Sequence, residues 1–355
     1  MPQCLESVKG FVDEIIVVDN NSSDRTKEIA EQYGARIIGN SEGKDLSKQR
    51  NIYLREAKGE WILSLDADER LGAKDIPKIM DLVKDKKTMA YGFVSRLYTG
   101  TFDLLNDWFK CRGEYAFEES LSGCPGYVNI YYGYRLFRNT KDLYYEGYIH
   151  ETIDRCIHKR GGFMVDTGIP IHHFKEGKSK KIVEASAMKY FRLELKKNAE
   201  VFRDHYRYYF RMGRDYLILK NDFDNAFEYL TKAIKLKPDF HCSYFLLALV
   251  YKKRGLYDKA LIALKKALTV KHDYIGAYYL RGIIFDILNK PGLAEYELTR
   301  ALKISPSHPM VLNSLGVVLI KQHKNVQAAR YFKKALKVDP GFRIAQSNLK
   351  QIGTK

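Results

Sequence analysis

Acidic side chains follow two predicted strands, and these are the residues whose types and spacing favour chemistry. Asp66 and Asp68 come directly after the apolar run EWILSL, in the segment LDADE. Two carboxylates in one turn repel each other unless a cation lies between them. Mg²⁺ and Mn²⁺ prefer carboxylate oxygens and commonly share their coordination with substrate phosphates. The pattern therefore predicts a divalent-cation site for a diphosphate, although acids also follow strands in proteins that bind no metal.

Another acid ends the apolar run DEIIVVD nearer the start of the chain. The segment VVDNNSSDRT places Asp19 at the end of this run and Asp24 at the start of a predicted helix. Ligands of α/β folds bind at the carboxyl ends of the strands, where Asp19 could accept hydrogen bonds from a base or a ribose. The alternative is an ordinary strand–turn–helix connection in which Ser23 or Asp24 caps the helix.

Short β-rich runs alternate with helical stretches through the first half of the chain. This alternation predicts an α/β domain with a mostly parallel sheet. The predicted strands are 13–19, 35–38 and 60–65, and the predicted helices are 24–33, 44–57 and the lysine-rich stretch 179–198. The sheet must bring the ends of strands 13–19 and 60–65 together if their acids share a site.

The second half of the chain repeats with a period of 34 residues, marked by Pro238, Pro306 and Pro340. Small residues let helices approach closely, and they recur in each repeat. The four units are 207–240, 241–274, 275–308 and 309–342; the twentieth place holds Ala226, Ala260, Ala294 and Ala328, and the twenty-seventh holds Ala233, Ala267, Ala301 and Ala335. The eighth place holds Ala248, Gly282 and Gly316, whereas Arg214 breaks the pattern in the first unit.

This repeat resembles the tetratricopeptide repeat, which stacks into an all-α solenoid. The resemblance implies that the array binds a peptide or protein partner. A spacer or dimerisation arm without a ligand is the alternative. Residues 343–355 are predicted to form a short capping helix.

The composition is strongly basic, with a formal net charge of +17. Such a surface attracts anions, and a solvated lysine-rich helical surface is the simpler alternative. No zinc, RNA-recognition or helix-turn-helix signature occurs, so no nucleic-acid partner is expected. The five scattered cysteines indicate free thiols in a reducing compartment. Since no signal peptide or membrane-spanning run is seen, a cytoplasmic location is predicted, with peripheral contact to the inner membrane face left open.

Three segments together resemble family 2 glycosyltransferases with a GT-A fold. They are CLESVKGFVDEIIVVDNNSSDRTKEIAEQYGA, KQRN and GEWILSLDADE. RLFRN, YEGYIHE and IHH are similar to later motifs of one subgroup, which often carries tetratricopeptide repeats behind the catalytic domain. The resemblance implies a GT-A-like (Rossmann-like) domain over 1–178, a linking helix over 179–206, four repeats over 207–342 and the cap over 343–355.

The resemblance also implies roles for the acids. Asp19 would hold the nucleotide base, Asp66 would contact the ribose or the metal, and Asp68 would ligate the metal. Asp24 and Arg50 complete the predicted nucleotide-sugar site, although Arg50 could instead be a surface charge of its helix.

The later motifs imply a base and a further ligand. Glu151 is the predicted catalytic base, because an inverting transfer needs one near the acceptor hydroxyl. The alternative is a loop carboxylate paired with Arg135 or Arg155. Of the two histidines in IHH, His173 is assigned to the metal site, as neutral imidazole can ligate. A structural role for either histidine is equally compatible with the sequence.

The sequence departs from the family in two places. Relatives begin with an additional central strand before the position of Cys4, whereas here the chain opens in the first helix. Either the start codon is placed too late or the protein is truncated and impaired, and the first is favoured. Without that strand, the strand around 14–18 is expected to lack a neighbour. Lys175 and Glu176 also replace the Gly-Tyr that relatives often have.

The sequence thus predicts transfer of a sugar from a nucleotide-diphosphate donor, a UDP-sugar being favoured. The acceptor would be an envelope, lipid-linked or protein molecule, and the reaction inverting and dependent on Mg²⁺ or Mn²⁺. The alternative is a catalytically impaired scaffold that binds protein partners through its repeats. The aromatic insert between Tyr98 and Tyr134, with Trp108, would stack on a sugar or pack in the core.

Overall fold

The chain divides into two compact units, each described by itself. The computed structural model describes residues 1–40, 43, 45–98, 108–110, 126–148, 150–174 and 180–353. Unit 1 comprises Met1–Tyr98 and Asn129–Arg203, and unit 2 comprises Thr99–Val128 and Asp204–Lys355. None of the helices in these described ranges is long and apolar enough to cross a membrane.

Unit 1 mixes helices and strands. Its elements are α1 (Pro2–Val8), β1 (Ile16–Asp19), α2 (Thr26–Gln32), β2 (Arg36–Gly39), α3 (Leu46–Glu56), β3 (Trp61–Leu63), β4 (Glu69–Leu71), α4 (Ile76–Leu82), β5 (Thr88–Tyr98), the later part of β7 (Gly126–Arg138), α5 (Asp154–Lys159), β8 (Phe163–Phe174) and α6 (Lys180–Leu193). A 3₁₀ turn over Ala73–Asp75 precedes α4, and a π-helical turn over Glu194–Asn198 follows α6. β6 (Trp108–Lys110) belongs to unit 2 and pairs with the start of β7.

The strands form a parallel pair and a separate sheet of mixed orientation, rather than one parallel sheet. β1 pairs in parallel with β2. The larger sheet has the order β3-β7-β5-β8-β4, in which β5 and β8 are parallel. β3 runs antiparallel to β7, and β4 runs antiparallel to β8. The prediction of a mostly parallel sheet is therefore wrong, because β5, β7 and β8 come from the region in which the strand–helix alternation ends.

One edge of β1 has no strand partner among the described residues. β1 and β3 line the same cavity, of about 830 Å³, together with apolar residues of α1 and α4. At the start of the two strands, Glu14 Oε1 accepts a hydrogen bond from the backbone N–H of Gly59 at 3.0 Å. A side-chain carboxylate thus ties β1 to β3 at this end, where no ladder pairs them.

Unit 2 contains the repeats as antiparallel helix pairs. Its helices are α7 (Tyr206–Asp215), α8 (Phe223–Leu236), α9 (His241–Lys253), α10 (Tyr257–Val270), α11 (Ile275–Ile287), α12 (Pro291–Ile304), α13 (Pro309–Lys321), α14 (Asn325–Val338) and α15 (Arg343–Gly353). The alanines at the twentieth and twenty-seventh places are completely buried in all four repeats. The period of the sequence therefore reports close packing between helices.

The eighth place of the first repeat is shifted by one residue rather than broken. A Cβ atom added to Gly282 would lie 2.7 Å from Leu298, and one added to Gly213 would lie 2.6 Å from the equivalent Leu230. Gly213 therefore does in the first repeat what the eighth residue does elsewhere. The extra residue before Ala226 is accommodated by a π-helical turn over Tyr216–Lys220, since such turns insert one residue into a helix.

Candidate active site

Arg50 joins side chains that are far apart in the sequence. It lies on α3, whose first turn is capped by Asp45, which accepts from Lys48 N at 3.1 Å. The Arg50 guanidinium donates from Nη2 to Asp66 Oδ1 at 2.7 Å, from Nη1 to Ser64 Oγ at 3.0 Å, and from Nε to Glu151. Arg50, Asp66 and Glu151 also line the cavity beside β1 and β3. The structure therefore brings three of the predicted site residues together.

Asp66 is held as a carboxylate by two arginines. Besides Arg50, Nη2 of Arg135 lies 3.7 Å from Asp66 Oδ2. Burial raises the pKa of Asp66, but the charges of Arg50 and Arg135 outweigh burial and lower the pKa to about 2. A carboxylate with such neighbours stays ionised at neutral pH. Arg50 is thus not a surface charge of its helix but the centre of a polar cluster with Ser64, Asp66 and Glu151, called the Arg50 cluster.

Glu69 holds the turn that carries Asp66 from its buried side, a role that the sequence did not predict. The Glu69 side chain is buried, accepts the backbone N–H of Asp66 at 2.8 Å through Oε2, and accepts Arg135 Nη2 at 2.7 Å through Oε1. It therefore fixes both the turn that carries Asp66 and an arginine that faces it. The only signal in the sequence was a third acid in LDADE, because no strand was predicted at this position.

Asp68 meets His173 across the β4–β8 pair. Asp68 Oδ2 lies 3.0 Å from His173 Nε2, and this hydrogen bond lowers the pKa of Asp68. Side chains alternate between the faces of a strand, so the neighbouring His172 points the other way. His172 is buried and shares a 2.8 Å hydrogen bond with Tyr98 Oη, which makes it a structural residue. The geometry separates the two histidines that the sequence left equivalent.

Asp68 and His173 fit a divalent cation that is shared with a substrate. In the described ranges, no group of three or more His, Cys, Asp or Glu side chains could hold a metal ion alone. A carboxylate and an imidazole that already lie 3.0 Å apart supply two ligands, and Mg²⁺ usually takes the remainder from phosphates and water. Asp66 is less free to ligate because its oxygens face Arg50 and Arg135.

Glu151 faces the cluster from the loop before α5. Its partner is Arg50, so the alternative pairing with Arg135 or Arg155 is wrong: Arg135 pairs with Glu69, and Arg155 lies near Glu146. The preceding His150 has a φ of 54°, in the left-handed region, which turns the backbone sharply at this dipeptide. A side chain mostly shielded from solvent and held by an arginine has a defined orientation toward the site.

Two tyrosines that the sequence did not single out extend the cluster. Tyr53 Oη lies 2.9 Å from Ser64 Oγ and donates to Tyr145 Oη at 3.0 Å. The Arg50 guanidinium lies 5.6 Å from the centre of the Tyr145 ring. Burial raises the pKa of Tyr145 well above its ordinary value. The hydroxyl groups of Tyr53, Tyr145 and Ser64 therefore hydrogen-bond to one another on the buried side of Arg50.

Asp19 and Asp24 organise the turn after β1 and make no ion pair or hydrogen bond with the Arg50 cluster in the described ranges. Asp19 is buried and accepts the backbone N–H of Ser22, at 3.3 Å to Oδ1 and 3.2 Å to Oδ2, while Lys27 Nζ lies 3.3 Å from Oδ2. Asp24 accepts the backbone N–H of Thr26 at 3.0 Å. Helix α2 begins at Thr26 with Arg25 as its N-cap, so the predicted start at Asp24 is two residues early.

Several predicted features lie wholly or largely outside the described residues. Lys175 and Glu176 do, as does most of the aromatic insert between Tyr98 and Tyr134. Trp108 stands in β6.

Comparisons with known proteins match two separate segments of the chain. A family model described as Glycosyl transferase family 2 matches residues 1–143, and one described as Tetratricopeptide repeat matches 206–240 and 243–274. The segment matched by the family 2 model includes KQRN and LDADE, and therefore contains Arg50, Asp66 and Asp68, whereas Glu151 lies beyond it. The tetratricopeptide-repeat match follows this segment.

Curated proteins match the chain in parts. It is 31% identical over 90 residues to a dolichol-phosphate mannosyltransferase of Pyrococcus furiosus, covering 24% of this chain and 26% of the relative. It is 42% identical over 69 residues to an uncharacterized glycosyltransferase of Rickettsia felis, covering 19% and 24%. A TPR repeat-containing protein of Synechococcus elongatus is 32% identical over 154 residues, covering 43% and 32%. The chain thus spans about a third or less of each relative.

The repeats are also similar to solved helical proteins. A thermophilic TPR protein of Thermus thermophilus matches with a TM-score of 0.43 and 18% identity, over 50% of this chain and 95% of that protein. At this level of similarity, the assignment of the repeats rests on their period, their buried alanines and the family model.

Proposed function

We propose that this protein transfers a sugar from a nucleotide-diphosphate donor, a UDP-sugar being favoured, to an envelope, lipid-linked or protein acceptor, with inversion. The observation that carries the proposal is the joining of Asp66 and Glu151 by Arg50, beside the Asp68–His173 pair. The match of residues 1–143 to glycosyltransferase family 2 supports sugar transfer in general.

In this proposal, Glu151 takes the proton from the acceptor hydroxyl as that oxygen attacks the sugar. A positioned base contributes about 10²–10⁴-fold to such a step. Arg50 is a positioning residue that holds Glu151 against the turn of Asp66. Glu69 and Arg135 position that turn in the same way from its buried side.

Asp68 and His173 would hold Mg²⁺ or Mn²⁺, and Asp66 would face the ribose or the same cation. The ion would neutralise the negative charge of the departing diphosphate. Asp19 and Asp24 would act on the nucleotide through the turn after β1, which the Asp19 carboxylate closes.

Turnover of a panel of UDP-, GDP- and CDP-sugars tests the proposal, with release of nucleoside diphosphate as the readout and Mn²⁺ or EDTA added. We expect cation-dependent release with one donor, and its loss in Asp68→Ala and Glu151→Gln. Glu146→Gln, which changes a carboxylate of the same loop that contacts Arg155 and Lys159, is the matched control. Release that persists in Asp68→Ala at the wild-type rate would overturn the cation assignment.

The tetratricopeptide repeats favour one second function, that of a catalytically impaired scaffold that binds protein partners through them. If this function holds, the donor panel gives no turnover and no nucleotide binds, while a protein partner binds the folded chain in solution.

A further inference from the structure

The second helices of the repeats present the same exposed face with different charges. Residues spaced i, i+4, i+7 and i+11 lie nearly in line along a helix of 3.6 residues per turn. In α14 these are Val326, Arg330, Lys333 and Lys337, and all four are exposed. We call these four residues the α14 stripe.

The 34-residue period defines the equivalent face in the other three repeats, and its members are also exposed. They are Asp224, Glu228, Thr231 and Lys235 in α8, Asp258, Ile262, Lys265 and Thr269 in α10, and Gly292, Tyr296, Thr299 and Lys303 in α12. The formal charge of this face therefore runs −1, 0, +1 and +3 from the first repeat to the last. On this face, positive charge is concentrated in the last repeat.

The α14 stripe also lacks compensating acids. Over 309–342 the sequence has one acid, Asp339. On the equivalent face of α8, Asp224 pairs with Arg254, and Glu228 pairs with Lys232 at 2.7 Å. Within the described ranges, no carboxylate lies at ion-pair distance from Arg330, Lys333 or Lys337. An uncompensated row of cations creates a positive potential that attracts an anionic surface.

The fourth member of the stripe selects the kind of anion. Val326 is 72% exposed and lies in line with the three cations. Lysines beside exposed aliphatic side chains are typical of helices that lie on anionic bilayers. Single-stranded nucleic acid is bound by interleaved aromatic side chains, and the α14 stripe contains none.

We propose that the α14 stripe binds the surface of a bilayer of anionic phospholipids. Arg330, Lys333 and Lys337 meet the lipid phosphates, and Val326 enters the interface between headgroups and chains. This contact would hold the protein at a membrane, and it does not depend on sugar transfer.

Co-sedimentation of the full chain with vesicles tests the proposal. The vesicles contain equal parts of phosphatidylglycerol and phosphatidylcholine, and phosphatidylcholine alone serves as the uncharged comparison. The variant R330Q/K333Q/K337Q removes the stripe. The control K235Q/K265Q/K303Q removes the same total charge from the equivalent faces of the other three repeats, where the positive charges are dispersed.

We expect the wild type and the control to bind the anionic vesicles and neither to bind the neutral ones. Each basic residue near an anionic surface contributes about fivefold, so the stripe variant should bind about a hundredfold more weakly. Val326→Ser should weaken binding less, and added salt should weaken it further because it screens the charges.

Three results would overturn the proposal. They are no binding of the wild type to anionic vesicles, equal losses in the two triple variants, and a loss in the stripe variant of single-stranded oligonucleotide binding alone. Far-UV circular dichroism melts of both variants show whether the array stays folded; because all six positions are exposed, we expect unchanged melts.

Discussion

Unit 1 and unit 2 specify their structures through contacts of different range. In unit 2, each helix packs on its neighbours, and the decisive residues are alanines and glycines that recur every 34 residues. In unit 1, Arg50 pairs with Glu151 across 101 residues of sequence, and Asp68 meets His173 across 105. Short-range contacts repeat and leave a period in the sequence, whereas the polar cluster of unit 1 occurs once and leaves none.

This difference separates the part that holds shape from the part that can carry chemistry. Buried small residues in unit 2 tolerate little change in volume, but they contain no reactive group. The charged side chains around Arg50 and Arg135 in unit 1 form a polar network in which each carboxylate pairs with an arginine. Four experiments test this difference between the two units.

The largest expected effect is on unit 1 chemistry. Glu151→Gln keeps the shape of the side chain but removes the base, so turnover should fall by about 10²–10⁴-fold while the unfolding temperature changes little. Steady-state kinetics with the donor found in the panel measure this effect. An unchanged turnover would exclude Glu151 as the base without excluding the enzyme.

Phe332→Ala should cause the largest loss of stability in unit 2. Phe332 is completely buried against Gly316, and truncating such a side chain costs about 3–5 kcal/mol. Urea unfolding monitored by circular dichroism measures the loss. Val326→Ala on the same helix is the control because Val326 is exposed. Equal effects of the two changes would contradict the packing described for the last repeat.

Acid should destabilise unit 2 through a buried histidine. Burial lowers the pKa of His308 from 6.5 to about 4. Between these values the unfolded chain binds a proton that the folded chain does not, so stability is full above pH 6.5 and falls as the pH drops toward 4. The loss amounts to at most about 3 kcal/mol. His308→Gln should flatten the dependence of the unfolding free energy on pH, while exposed His323→Gln should not.

The smallest effects distinguish two glycines of one repeat. A Cβ at Gly282 would meet Leu298, so Gly282→Ala should cost about 1–3 kcal/mol. Gly292 lies in α12 with open space around it, and Gly292→Ala should stabilise by about 0.5–1 kcal/mol. Thermal melts of the two variants should therefore shift in opposite directions. A shift of both in the same direction would show that close helix approach does not explain the small residues.

The sequence predicted the features that depend on local pattern. The repeats follow from the 34-residue period, and β1, α3 and β3 follow from apolar spacing. The predicted strands 13–19 and 60–65 are longer than the observed β1 and β3. The one-residue shift at Gly213 was not predictable, because the π-helical turn that absorbs it has no sequence signature. Arg50, Asp66 and Glu151 were each singled out, but the ion pairs that join them were not. Glu151 could equally have met Arg135 or Arg155, and only the fold chooses among arginines.

The mixed sheet escaped prediction for a related reason. β7 lies between β3 and β5, and β8 lies between β5 and β4. β7 and β8 are far in the sequence from β3 and β4, so local patterns do not reveal these pairings. The same register places His173 toward Asp68 and buries His172 on the other face. Because side chains alternate between the two faces of a strand, the adjacent histidines His172 and His173 have different surroundings.

Calorimetric titration of UDP into the full chain, with and without Mn²⁺, tests whether Asp68 and His173 hold a cation shared with the donor. We expect binding that depends on Mn²⁺, that is lost in Asp68→Ala, and that survives in Glu146→Gln. Binding of UDP that is equally strong without the cation and in Asp68→Ala would contradict the assignment of Asp68 and His173 to a shared cation.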